Sequence, residues 1–128
     1  MGTKRILVID DDDGVREIIQ ISLEAAAGWE AIPASSGQEG IELAATAQPD
    51  AILLDMMMPG MDGKATYQAL QGNPLTANIP TILLTAKAKN SEKQQFIEDL
   101  GVTGVITKPF DAMGLVQQMC WLLHWPEI

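Results

Sequence analysis

Arg5-Ile6-Leu7-Val8-Ile9-Asp10-Asp11-Asp12-Asp13 runs an apolar segment straight into four consecutive carboxylates. A run this short has strand length, and unbroken apolar character suits a strand covered on both faces. Four more such runs follow, at Glu30–Ala34, Ala51–Leu54, Thr81–Leu84 and Gly104–Thr107. The second is the weakest, and Pro33 inside it predicts an edge strand, where a missing N–H does no harm. Between the runs the apolar residues recur at helical spacing. Val15, Ile18, Ile19, Ser22, Leu23 and Ala26 mark one face of a first helix, with Gly28 placed to cap its end. Ser36 and Glu39 form a capping box for a second helix that turns Ile41, Ala44 and Ala45 inward. A third runs from about Asp62 to Gln71 and closes at Gly72-Asn73-Pro74. A fourth opens at Asn90 or Ser91 and buries Phe96, Ile97 and Leu100. A fifth carries Leu115, Val116, Met119, Leu122 and Leu123 on one stripe until Pro126. Strand and helix alternate with short connections, which requires right-handed crossovers and gives a parallel sheet with helices on both faces.

Ligands of such sheets bind at the carboxyl ends of the strands. Here the first strand ends in Asp10–Asp13, the third in Asp55, the fourth in Thr85 and the fifth in Lys108. Two carboxylates about 4 Å apart repel by ~4 kcal/mol at an effective dielectric of 20. Acids gathered from neighbouring strand ends therefore call for a cation, and hard carboxylate oxygens suit magnesium. Lys108 adds a compact positive charge and Thr85 a hydroxyl donor. That set is equipped for phosphoryl transfer, which depends mainly on positioning and charge neutralisation. The residues point to a phosphoryl-handling site centred on Asp55 or Asp10.

Composition narrows the setting. The chain has 128 residues, 47% hydrophobic and 20% charged, enough for one domain with a real core. The net charge is −9, and residues 1–63 hold 12 of the 17 acids but 3 of the 8 bases. Clustered bases are what phosphate backbones and anionic membranes need, so direct nucleic-acid or membrane binding is not expected. Cys120 is alone, which rules out a disulfide framework or a cysteine-rich metal site. Four apolar residues near the N-terminus are too few for a signal peptide, and no run reaches the ~20 residues of a membrane span. A soluble protein of a reducing cytoplasm is expected.

Four blocks together carry a resemblance: Ile6-Leu7-Val8-Ile9-Asp10-Asp11-Asp12; Leu53-Leu54-Asp55-Met56-Met57-Met58-Pro59-Gly60-Met61-Asp62-Gly63; Leu84-Thr85-Ala86; and Thr107-Lys108-Pro109-Phe110. In order and spacing they resemble the receiver domain of two-component response regulators, over essentially the whole chain. The resemblance implies a flavodoxin-like doubly wound (βα)5 fold, with a five-stranded parallel sheet in the order 2-1-3-4-5, as a single domain over residues 1–128. It implies that Asp55 accepts a phosphoryl group from a phosphohistidine, with Mg2+ held by Asp10, Asp11, Asp55 and the backbone carbonyl of Met57. Lys108 would hold one phosphoryl oxygen and Thr85 would move to hydrogen-bond another. A cis Lys108–Pro109 bond, a loop shaped by Pro59-Gly60 and a third helix starting at Gly63 also follow. The implied partners are a sensor histidine kinase or histidine phosphotransfer protein, and a downstream output protein or attached output domain. A homodimer through the fourth and fifth helices is a further possibility within the family.

Two features depart from the family or modify it. Many members carry an aromatic three residues before the lysine; here Val105 stands there and cannot swing in and out as a ring does. Met57 and Lys87 stand at the two positions that, in the family, flank the path of hydrolytic water, and an apolar Met57 is expected to lengthen the phosphorylated lifetime. Asp10-Asp11-Asp12 also fits a haloacid-dehalogenase-type phosphatase with Asp10 as nucleophile and Asp12 as acid/base, but that leaves Asp55 without a duty and lacks a cap. A pseudo-receiver that only binds partners would not need Asp11, Asp55, Thr85 and Lys108 intact. Gly60 and Gly63-Lys64 are too close for a P-loop, and Asp11-x-Asp13-Gly14 lacks the flanking acids of an EF-hand. Asp13 reads as the cap of the first helix, and the Met56–Met58 and Met61 cluster as packing. His124 reads as a charge near a helix end, and Cys120 as a small buried hydrophobe. Trp121 and Trp125 are either core residues or exposed anchors for a partner.

Overall fold

The computed structural model describes residues 3–86 and 89–126, apart from the side chains of Asn90 and Glu92. Strands β1 (Arg5–Ile9), β2 (Glu30–Ala34), β3 (Ala51–Asp55), β4 (Thr81–Ala86) and β5 (Gly104–Lys108) alternate with helices α1 (Asp13–Ala27), α2 (Gly37–Ala47), α3 (Gly63–Gln71), α4 (Asn90–Leu100) and α5 (Leu115–Leu123). All pairings are parallel and the order is β2-β1-β3-β4-β5, so the expected doubly wound fold is the observed one and Pro33 sits on an edge. A short 3₁₀ turn over Ala112–Gly114 leads into α5.

Alternation along the strands divides the core into two layers. Ile6, Val8, Leu53, Ile82, Leu84 and Ile106 pack with Ile19 and Leu23 of α1 and with Leu115, Met119 and Cys120 of α5. On the other face Leu7, Ile9, Ile52, Leu54, Leu83 and Val105 meet Ala44 of α2, Tyr67 and Leu70 of α3 and the flank of α4. The α4 contribution is shallower than the sequence implies: Phe96, Ile97 and Leu100 are half-buried. Ile41, Ala45 and Leu122 are half-buried as well, and Ala26 is exposed. Ile18 also departs from expectation, lying 49% exposed at the edge of its apolar stripe. Among the described residues no helix is long and apolar enough to cross a membrane.

The helix ends show why the chain turns where it does. Asp12, rather than Asp13, caps α1: its carboxylate accepts from the N–H groups of Gly14 and Val15. Four successive aspartates offer the same capping chemistry, and the choice falls on Asp12 because its own N–H is held by Asp10. Gly28 ends α1 in the left-handed region, as expected. Ser36 accepts from the Glu39 N–H, while the Glu39 side chain reaches back to the Ser35 N–H. Asp62 caps α3 through Ala65 N–H, so that helix begins one residue later than its acidic cap. At the far end of α5, Trp125 stands edge-on to Trp29 with centroids 5.5 Å apart, and Lys4 lies over its ring. Trp125 is therefore a packing residue, whereas Trp121 is 74% exposed. His124 forms the left-handed cap of α5, and Cys120 is buried.

Candidate functional site

Strands β3, β4 and β5 run further than their apolar residues: Asp55 and Lys108 are the last residues of their strands, and Thr85 lies inside β4. Backbone pairing carries each of these polar residues past the hydrophobic core. Asp55 pairs with Leu84, and Met56 donates its N–H to the Leu84 carbonyl. Asp10 follows β1 directly and donates its N–H to Ala34. Strand alternation then turns Asp10, Asp55 and Lys108 to one face of the sheet edge, beside the N-terminus of α1.

There they meet. The Lys108 Nζ donates to Asp10 Oδ2 at 2.8 Å and to Asp55 Oδ1 at 3.2 Å. Asp10 is fully buried and Asp55 is 4% exposed. Asp11 is exposed at the rim, and one carboxylate oxygen from each of Asp10, Asp11 and Asp55 lies within 4.8 Å of the others. Three acids against one lysine leave an excess of negative charge at the mouth. Burial, and then the neighbouring Asp10, push the Asp55 carboxyl above the usual carboxylate range, although Lys108 and the Met57 N–H pull the other way. Burial pulls on Lys108 downward, but its bonds and charge contacts with Asp10 and Asp55 outweigh that and hold it above an ordinary lysine.

A scaffold fixes the two acidic loops. Asp10 Oδ1 accepts from the Asp12 N–H, and Arg16 of α1 donates to the Asp10 carbonyl while pairing with Asp13. Arg16 escaped the sequence reading, although its spacing of three from Asp13 on a helix was a usable signal. The Asp55 loop turns at Gly60, whose φ is +76°. It is then clamped at Gly63, where an added Cβ would stand 2.5 Å from the Asp55 carbonyl oxygen. Met58 is buried, Met56 and Met61 are half-buried, and Met57 is 75% exposed beside Asp55, its N–H donating to Asp55 Oδ1 at 3.3 Å. The Lys108–Pro109 bond is cis. Next to the acids, Val15, Ile18, Ala86, Lys108, Pro109 and Phe110 line an open apolar depression of about 510 Å³.

Thr85 does not join this cluster: it lies on the opposite face of the strand edge, and its hydroxyl makes no hydrogen bond among the described residues. Val105 is buried in the core under that face. Lys87 lies outside the described residues.

The family model of the response regulator receiver domain matches residues 6–119. The phosphate regulon transcriptional regulatory protein PhoB of Pseudomonas aeruginosa is 40% identical over 93% of this chain and 51% of its own length. The transcriptional regulatory protein PhoP of Bacillus subtilis is 38% identical over 98% of this chain and 50% of its own. The chain thus spans about half the length of these curated relatives. Among solved structures, a response regulator from Chloroflexus aurantiacus is 32% identical with a TM-score of 0.85, covering 96% of this chain and 99% of that one. The chemotaxis response regulator CheY4 of Vibrio cholerae also scores 0.85 at 27% identity, covering 94% and 99%. Phosphatase and partner-only readings give way to this assignment: the chain belongs to the response regulator receiver domain family, phospho-accepting switches of two-component signalling.

Proposed function

We propose that Asp55 is the residue that accepts the phosphoryl group, and that Asp10, Asp11, Thr85, Lys108 and the Met57 carbonyl serve that reaction. The observation that supports this most is the Lys108 ammonium bridging two buried carboxylates at 2.8 and 3.2 Å, with Asp11 beside them. Asp55 ends the central strand β3, beside the exposed Asp11, and offers a carboxylate oxygen as the nucleophile. In the reaction that oxygen bonds to phosphorus as the phosphorus–nitrogen bond of a phosphohistidine breaks, and the imidazole leaves with the electron pair. The three acids fit a divalent cation: hard oxygen donors, clustered, with more negative charge than Lys108 balances. Asp10, Asp11, Asp55 and the Met57 carbonyl would hold Mg2+, which would supply neutralisation of the phosphoryl oxygens. Lys108 shifts from the carboxylates to a phosphoryl oxygen, and Thr85 moves in to donate to another.

Phosphorylation then biases a two-state equilibrium whose readout is the face built from α4 and α5. The donor is a sensor histidine kinase or a histidine phosphotransfer protein, for which the apolar depression between α1 and the Lys108-Pro109-Phe110 turn offers a seat within reach of Asp55. The recipient of the signal is an output protein or an output domain of the same polypeptide, and the setting is the cytoplasm. A homodimer through α4 and α5 would place the exposed Trp121 in its contact; sedimentation of the phosphorylated form tests this. For residues 1–128 we favour one receiver domain. The assignment of Asp55 is tested by incubating the protein with acetyl phosphate and magnesium, trapping the acyl phosphate with borohydride and mapping the reduced residue. Reduction at position 55 supports the assignment, and reduction at position 10 overturns it.

A further inference from the structure

Among the described residues, one buried side-chain oxygen has no hydrogen-bond partner: Oγ1 of Thr107. Leaving a sealed hydroxyl unpaired is destabilising, and a valine of the same shape would avoid that cost. The position is informative. Thr107 is the register partner of Thr85 on the neighbouring parallel strand, so both side chains leave the sheet on the same face. Two residues earlier on each strand, Leu83 and Val105 are likewise partners and pack in the core below. The hydroxyl of Thr85 is also without a hydrogen bond among the described residues. Thr107 and the half-buried Thr85 thus hold register-paired positions on adjacent parallel strands, with the Thr107 hydroxyl not bonded to its neighbour.

We propose that Thr107 is a positioning residue for the phosphorylated state, acting through Thr85. This rests on the reading above that Thr85 donates to a phosphoryl oxygen. A hydroxyl has one proton to give and two lone pairs to receive with. When Thr85 gives its proton to the phosphoryl oxygen, its own oxygen is free to accept, and Thr107 supplies the proton. The chain runs from Thr107 to Thr85 to phosphate, each group donating once. The unpaired hydroxyl raises the energy of the unphosphorylated state, and its pairing lowers that of the phosphorylated one. The same link ties Thr85 to β5, two residues beyond Val105, at a place where a valine offers no swinging ring.

Beryllofluoride with magnesium, a non-covalent phosphoryl mimic, provides the test, titrated calorimetrically into wild type, Thr107→Val and Thr107→Ser. The same titration on Thr85→Ala and on Thr85→Ala with Thr107→Val closes a double-mutant cycle. Without the mimic, Thr107→Val is expected to be at least as stable as wild type. It is expected to bind the mimic about 5- to 10-fold more weakly, while Thr107→Ser stays within about twofold of wild type. In the Thr85→Ala background the valine is expected to change nothing further. Unchanged affinity in Thr107→Val, an equal loss without the Thr85 hydroxyl, or a destabilised unliganded Thr107→Val overturns the proposal. Failure of wild type itself to bind the mimic overturns the phospho-acceptor reading, and the role of Thr107 falls with it.

Discussion

Replacing Asp55 by asparagine keeps the shape of the side chain and removes its charge. In the folded protein that charge is 4% exposed, within 4.8 Å of carboxylate oxygens of Asp10 and Asp11. At 4.8 Å and an effective dielectric of 20, a pair of like charges costs about 3.5 kcal/mol. Lys108 at 3.2 Å offsets much of this, but burial adds to the cost, and the balance leaves the Asp55 carboxyl above its usual range. An acid raised in the folded state holds its proton there longer than in the unfolded chain. Its penalty is therefore absent below the ordinary value of 3.8 and develops as pH rises through the raised value. Asp55→Asn should accordingly be more stable than wild type at pH 7 in a chelator, by about 1 kcal/mol or roughly 4 °C in Tm. The gain should shrink as pH falls towards 4. Magnesium should narrow it too, because the ion stabilises wild type by binding the folded state alone. Urea unfolding at matched pH with and without magnesium provides the measurement. A variant less stable than wild type at pH 7, or a gap that widens on acidification, would refute the reasoning.

Other perturbations separate scaffold from chemistry. Lys108→Met leaves two buried carboxylates facing each other and should cost about 3 kcal/mol in a chelator while tightening magnesium binding, both read by titrated unfolding curves. The stability contributed by Lys108 itself is complete below pH 10.5 and should fall as pH rises through its raised value, a loss absent from Lys108→Met. Gly63→Ala drives a methyl into the Asp55 carbonyl and should destabilise by about 2–3 kcal/mol, whereas Asp12→Ala should lose about 1 kcal/mol of cap. Met57→Asn should shorten the lifetime of the acyl phosphate several-fold, since a polar amide beside Asp55 admits water; an unchanged decay rate would count against the shielding role of Met57.

The fold was legible because its signals agree with one another. Five short apolar runs, helical stripes between them and caps at Gly28 and Ser36 all specify the same alternating chain. β1 and β2 end where their apolar runs end, whereas β3, β4 and β5 continue one or two residues further, because hydrophobicity marks where side chains are buried and not where backbone pairing stops. Asp55 is the clearest case: polar, buried and still paired to Leu84. The breadth of the α1 stripe misled differently. Ile18 has helical spacing with Ile19 and Leu23 but rims the depression beside Phe110, and sequence does not separate a core stripe from an apolar rim. The acids and Lys108 could be gathered from topology alone, since every strand end points the same way. The lack of a bond at the Thr107 hydroxyl could not, because it depends on which atoms surround one oxygen.

Intact mass after incubation with acetyl phosphate and magnesium tests the central claim most directly, comparing wild type with Asp55→Asn and Asp10→Asn. The account predicts that wild type gains one phosphoryl group, that Asp55→Asn gains none, and that chelation abolishes labelling. Labelling of Asp55→Asn together with loss of labelling in Asp10→Asn would contradict it.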